Sequence, residues 1–143
     1  MKRKLIIATC QFPVSGNIKR NASYILRQMT EAKEKGADVS HFPESSLSGY
    51  AGTDFKRYKS EDESLRLDSL EKIIQRSSEL KIWVIVGSHH FAENNHLPYN
   101  CLWLIDNSGK IINRYDKRFC TGKEGELEHA YYKPGQKVVK FTI

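Results

Sequence analysis

The sequence is short of cysteine, of long apolar runs and of charge concentrated in one place, and each shortage excludes something. There are 3 cysteines in 143 residues. Cys10, Cys101 and Cys120 are odd in number, far apart and without a Cys-x-x-Cys pair, which argues against a disulfide framework and a zinc site. No apolar run approaches the roughly 20 residues needed to span a bilayer. The basic start, Met1-Lys2-Arg3-Lys4, is followed by an apolar run that stops at Cys10-Gln11, too short for a secretory signal. A protein of the cytosol or a similar reducing compartment, with no membrane association, is therefore expected. The 23 Lys and Arg against 17 Asp and Glu give a net charge of +6, but the signs are interspersed, as in Lys33-Glu34-Lys35 and Lys123-Glu124. A nucleic-acid surface wants a basic cluster or a platform of stacking aromatics. Neither is present, so no specific nucleic-acid partner is expected.

What is present reads as one domain over residues 1–143, long enough to bury a proper core. Residues 5–9 make a compact β-type run. Gly16 and Asn17 then open a helix whose apolar positions, Ile18, Ala22, Ile25, Leu26, Met29 and Ala32, trace one buried stripe. Gly36 stands where a left-handed residue ends that helix. A second helix carries Leu67, Leu70, Ile73, Ile74 and Leu80, and two capping boxes, Ser60-x-x-Glu63 and Asp68-x-x-Glu71, leave its start open. Residues 82–86 form a continuous β-branched and aromatic run, as in a strand buried on both faces. Residues 99–105 and 110–115 flank Asp106-Asn107-Ser108-Gly109, the chemistry of a hairpin turn. A polar loop over residues 117–136 precedes one more strand expected at residues 138–143. The order predicts a layered α/β protein with a mixed sheet.

The chain is organised around residues 37–50. A short run from Val39 to Phe42 is stopped by Pro43, which cannot donate to a sheet ladder. Glu44 then stands where a strand gives way to a loop rich in Ser and Gly. Catalytic groups favour the carboxyl ends of strands in α/β sheets, where the loops converge on one crevice. By itself Glu44 reads equally well as a solvated loop acid or as a partly desolvated base.

Three pieces then line up in order. Phe42-Pro43-Glu44 is followed by Leu47-Ser48-Gly49-Tyr50. Tyr99-Asn100 leads through Ile105-Asp106 and Gly109-Lys110-Ile111 to Tyr115-Asp116-Lys117. Glu128 precedes Tyr131-Tyr132-Lys133-Pro134-Gly135. In this order and spacing the chain resembles the N-terminal half of the nitrilase superfamily, the carbon–nitrogen hydrolases, from Lys4 through Ile143.

The resemblance implies an α-β-β-α sandwich and a Glu-Lys-Cys catalytic set. It assigns Glu44 as general base, Lys117 as the oxyanion-stabilising lysine and Glu128 as the second glutamate. Glu124 and Glu126 share the loop with Glu128, so a register error of two residues would move that role to Glu126. A thiol attacks an amide, carbamoyl or nitrile carbon while the carboxylate takes its proton, and a thioester forms and is hydrolysed. The ammonium stabilises the negative charge that builds on attack. No cofactor or metal is implied. The segment from Glu128 to Gly135 looks more like amidases and carbamoyl-hydrolases than true nitrilases. Tyr50 either lines the substrate pocket or packs on its own strand. Outside the resemblance, a strand-end lysine such as Lys117 is more often simply solvated, and His89-His90 has no third ligand at metal-binding spacing and is expected to be structural.

In the family the nucleophilic Cys follows the strand begun by Val138, a position beyond Ile143. None of the three cysteines substitutes on this pattern. The chain is therefore expected to be a fragment or short form, inactive alone, supplying roughly the first half of the sandwich. One face of its sheet, with Ile82, Val84 and Val86 or the alternates Trp83 and Ile85, would lack cover. Self-association, or docking on a full-length relative, is the expected consequence.

Overall fold

The computed structural model describes residues 4–92 and 96–143. Five strands and two α-helices follow in the order β1 (Ile7–Thr9), α1 (Ile18–Glu34), β2 (Val39–His41), α2 (Ser60–Leu80), β3 (Trp83–His90), β4 (Tyr99–Ile105) and β5 (Ile111–Asp116). A short 3-10 turn, Leu127–Ala130, comes last. The sheet runs β1-β2-β3-β4-β5. Its first three strands are parallel, joined by helical crossovers, and its last three are antiparallel. The mixed α/β architecture expected from the sequence is what the chain forms.

Local chemistry explains most boundaries. Asn17 caps α1 by accepting the Arg20 N–H at 3.0 Å, and Gly36 leaves the helix with φ +80, a backbone shape that costs glycine least. The Asp106 side chain accepts N–H bonds from Ser108 and Lys110, which closes the hairpin between β4 and β5. Neither capping box forms at α2. The helix begins at Ser60, Lys59 occupies the N-cap position without a side-chain bond, and Glu63 pairs with Arg66 instead. The apolar stripe also differs: Leu67 is 52 % exposed, while its neighbour Arg66 is fully buried. Arg66 tolerates burial because Glu63 holds its guanidinium through two bonds of 2.6 and 2.8 Å.

The two helices lie against each other, and Ile25, Met29, Leu70 and Ile73 form one core with Val84, Val86 and Ile105. Alternation along a strand then sends Trp83 and Ile85 to the opposite face. That decides between the two sets of candidates: Ile82, Val84 and Val86 are covered by helices, and the open face belongs to the alternates. On that face Ile7 is 55 % exposed. The final strand expected at residues 138–143 does not form. The segment instead reaches the open face, where Phe141 stacks on Trp83 with ring centroids 6.3 Å apart. Among the described residues no helix is long and apolar enough to cross a membrane.

Candidate active site

Glu44 is placed by a loop that rides on β3. Phe42 N–H donates to Ile85 O at 2.9 Å and Leu47 N–H to Gly87 O at 2.8 Å. Ser46 Oγ accepts the Gly87 N–H at 3.1 Å. Between these anchors Ser45 has φ +56, a left-handed conformation that non-glycine residues adopt at a cost. Gly87 makes the close approach possible, because a Cβ there would lie 2.5 Å from Ser45 N and 2.7 Å from Glu44 C. The turn aims the Glu44 carboxylate over the end of the sheet.

Lys117 arrives from the opposite direction, one residue past β5. Its N–H donates to Asn100 O and its carbonyl accepts the Gly135 N–H, both at 2.8 Å. Its Nζ lies 3.0 Å from Glu44 Oε2 and 2.7 Å from Glu128 Oε1. Three segments that are remote in sequence thus meet at one ammonium. Glu128, in the 3-10 turn, is 5 % exposed and accepts bonds from Tyr50 OH, Thr121 N and Thr121 Oγ1 as well. Of the two glutamates offered for the second role, Glu126 is exposed and Glu128 buried, and Glu128 is the one that meets Lys117. Tyr50 meets Glu128 through its hydroxyl and packs edge-on against Tyr132, which makes it a neighbour of the charged cluster.

The electrostatics follow from these contacts. Burial alone would raise the Glu128 carboxyl, but the bonds from Lys117, Tyr50 and Thr121 outweigh it and hold the group at about 2. Burial would likewise lower the Lys117 ammonium, and its two carboxylate partners more than reverse that, so it sits above its ordinary value. Burial first, then the Glu128 carboxylate, raises the Tyr50 hydroxyl. At neutral pH the site holds a firm Lys117 cation against the Glu128 anion, with the phenol protonated. Such an ammonium can stabilise charge building on a reacting oxygen.

The cysteines do not join this arrangement. Cys10 and Cys101 are buried and Cys120 is half-buried. Burial pushes Cys101 up to about 12. Burial also raises Cys120, with Glu128 and Glu44 adding to the effect and Lys117 opposing it. High thiol values oppose nucleophile formation. His89 is buried against Glu63, 3.3 Å away, and burial lowers its imidazole. Among the described residues no group of three or more His, Cys, Asp or Glu side chains could hold a metal ion. Two residues of the site had no role assigned from sequence. Asn100 Nδ2 donates to Glu44 Oε2 at 2.9 Å, and Thr121 gives Glu128 two bonds. A polar residue inside the otherwise apolar run of β4 was the available signal for Asn100; Thr121 carried none.

The family model for carbon-nitrogen hydrolases matches residues 6–143. The chain belongs to the carbon-nitrogen hydrolase family. Among curated relatives, this chain is 31 % identical to the glutamine-dependent NAD(+) synthetase of Acinetobacter baylyi, covering 94 % of this chain and 24 % of that protein. It is 27 % identical to N-carbamoylputrescine amidase of Arabidopsis thaliana, over 94 % of this chain and 45 % of the amidase. The chain therefore spans less than half the length of these relatives. An amidase from Nesterenkonia sp. superposes with a TM-score of 0.77 at 20 % identity, over 93 % of this chain and 49 % of the amidase, a likeness of fold. A mutant of the amidase from Nesterenkonia sp. AN1 shows the Michael addition of acrylamide at its active-site cysteine.

Proposed function

We propose that this chain supplies the base and the oxyanion-stabilising cation for cleavage of a non-peptide carbon–nitrogen bond, in an amide or N-carbamoyl compound. The observation that carries the reading is the meeting of Glu44, Lys117 and Glu128 at hydrogen-bond distance. Glu44 takes the proton of a cysteine thiol as sulfur adds to the carbonyl carbon. Lys117 stabilises the oxyanion, and Glu128 holds Lys117. The amine or ammonia leaves with the proton, giving a thioester. Glu44 then takes a proton from water, which adds to the thioester, and the acid is released with the thiol restored.

The nucleophilic thiol of this reading is not assigned to any of the three cysteines of the 143-residue chain, two of which are buried. The protein as its own source makes it is tested against simple amides, N-carbamoyl compounds and glutamine, a side-chain amide included because one relative is glutamine-dependent. Glu44→Gln and Lys117→Met are each expected to lower kcat by at least about a hundredfold, the scale seen when a positioned base or oxyanion donor is removed. Turnover surviving both substitutions would overturn the assignment. A second reading is favoured by the burial of two of the three cysteines and by the open face bearing Ile7, Trp83 and Ile85. On that reading a short product acts without catalysis, associating with itself or with a full-length relative. The intact mass of the protein from its own source separates the two: about double 16.5 kDa supports the enzyme, and 16.5 kDa the short product.

A further inference from the structure

Asn100 lies within β4 opposite His89 of β3 and is 2 % exposed. A buried amide on a strand is unfavourable unless it is bonded, and this one is bonded to the site. Its Nδ2 donates to Glu44 Oε2 at 2.9 Å, and its backbone carbonyl accepts the Lys117 N–H at 2.8 Å. One residue therefore holds both halves of the Glu44–Lys117 pair. The same Oε2 also accepts from Lys117 Nζ at 3.0 Å. Among the described residues no hydrogen bond reaches Oε1, and the Glu44 side chain is 51 % exposed.

The two oxygens of one carboxylate are thus made unequal. An oxygen with two donors has its lone pairs engaged and is the poorer proton acceptor. We infer that Asn100 is a positioning residue which, with Lys117, fixes Oε2 of Glu44 and leaves Oε1 as the oxygen that exchanges protons during the reaction. This rests on the reading of Glu44 as the base. As the thiol adds, its proton passes to Oε1, the S–H electron pair becomes the S–C bond, and the carbonyl π pair moves to the oxygen facing Lys117. The proton then passes to the leaving nitrogen as the C–N bond breaks and the carbonyl re-forms. Without Asn100 the exposed Glu44 side chain is free to turn away, and Lys117 loses one of its two anions.

Two measurements test this. In the 143-residue chain, acetylation of Lys117 by acetic anhydride at pH 8.5 is followed by mass spectrometry. Loss of a carboxylate partner lowers the ammonium's pKa, so the free amine fraction rises. Asn100→Leu and the shorter, still polar Asn100→Ser are each expected to speed Lys117 acetylation about two- to fivefold, with melting temperatures near that of the parent. Glu44→Gln speeds it as well, and Asn100→Leu adds nothing further in the Glu44→Gln background, because Asn100 acts through that carboxylate. In the protein as its own source makes it, Asn100→Leu is expected to lower kcat about 10- to 100-fold, the scale of one hydrogen bond to a charged group, with little change in KM. An unchanged Lys117 rate in both Asn100 variants, or fully additive effects with Glu44→Gln, overturns the inference. Turnover unaffected by Glu44→Gln overturns the functional reading instead, and leaves the acetylation result to judge the positioning by itself.

Discussion

Replacing Glu128 by Gln offers the most quantitative check on the charged cluster. The carboxylate is almost fully buried and accepts from Lys117, Tyr50 and Thr121, which holds it at about 2 in place of the ordinary 4.5. At roughly 1.4 kcal/mol per pH unit, that difference makes the ionised group worth about 3 kcal/mol relative to a neutral one. This is a large share of the ~5–15 kcal/mol by which a domain is stable. A carboxylate with a lowered folded pKa stabilises the protein fully above its unfolded value and loses that contribution as pH falls through the folded one. The window therefore runs from about 4.5 down to about 2. Glutamine mimics the protonated acid at every pH. Urea unfolding of the parent and Glu128→Gln should show a gap of about 3 kcal/mol at pH 7, of which ~2 kcal/mol is gone by pH 3. Glu63, also held at about 2 by Arg66 and His89 against its burial, titrates in both proteins and cancels in the difference. A gap that stays constant from pH 7 to pH 3, or no gap at all, would refute the assignment of Glu128 as the anchor of Lys117.

Other outcomes follow from the same geometry. Gly87→Ala would drive a Cβ to 2.5 Å from Ser45 N and 2.7 Å from Glu44 C; backbone cannot swing aside, so a loss of about 1–3 kcal/mol is expected, read by urea unfolding, and normal stability would show that the loop is looser than described. Tyr50→Phe removes one of the Glu128 donors and should raise the folded-state end of the Glu128 window and shrink the carboxylate's total contribution, measured as lower stability at pH 7 and an acid unfolding midpoint moved to higher pH. On the open face, Ile85→Lys places a charge beside Trp83; sedimentation velocity at tens of micromolar should show less self-association than the parent, and identical sedimentation would mean that this face is not where copies meet.

The contrast between Arg66 and Leu67 shows where pattern reading reaches its limit. The stripe of α2 was legible because apolar residues recur at helical spacing, yet Leu67 belongs to it by hydropathy alone. Whether Arg66 is buried depends on Glu63 one turn away, which is itself held by His89 of β3, and neither residue's role is visible to a moving window. Likewise, the three glutamates of the 124–128 loop look alike in sequence. Only the bonds from Tyr50, Lys117 and Thr121 single out Glu128.

The sequence by itself determined what is local: the stripe and caps of α1, the hairpin chemistry of Asp106 to Gly109, and an acid placed just past a strand stopped by Pro43. Helical periodicity, turn geometry and the missing N–H of proline act over a few residues, so they can be read from a few residues. The ordered motifs also marked Glu44, Lys117 and Glu128 before their distances were known. Tertiary structure alone decided which face of β3 the helices cover, that residues 138–143 make no strand, and that Asn100 joins Glu44 to Lys117. A strand exists only where a neighbour completes its ladder. An ion pair likewise exists only where remote segments meet, so both depend on the whole fold.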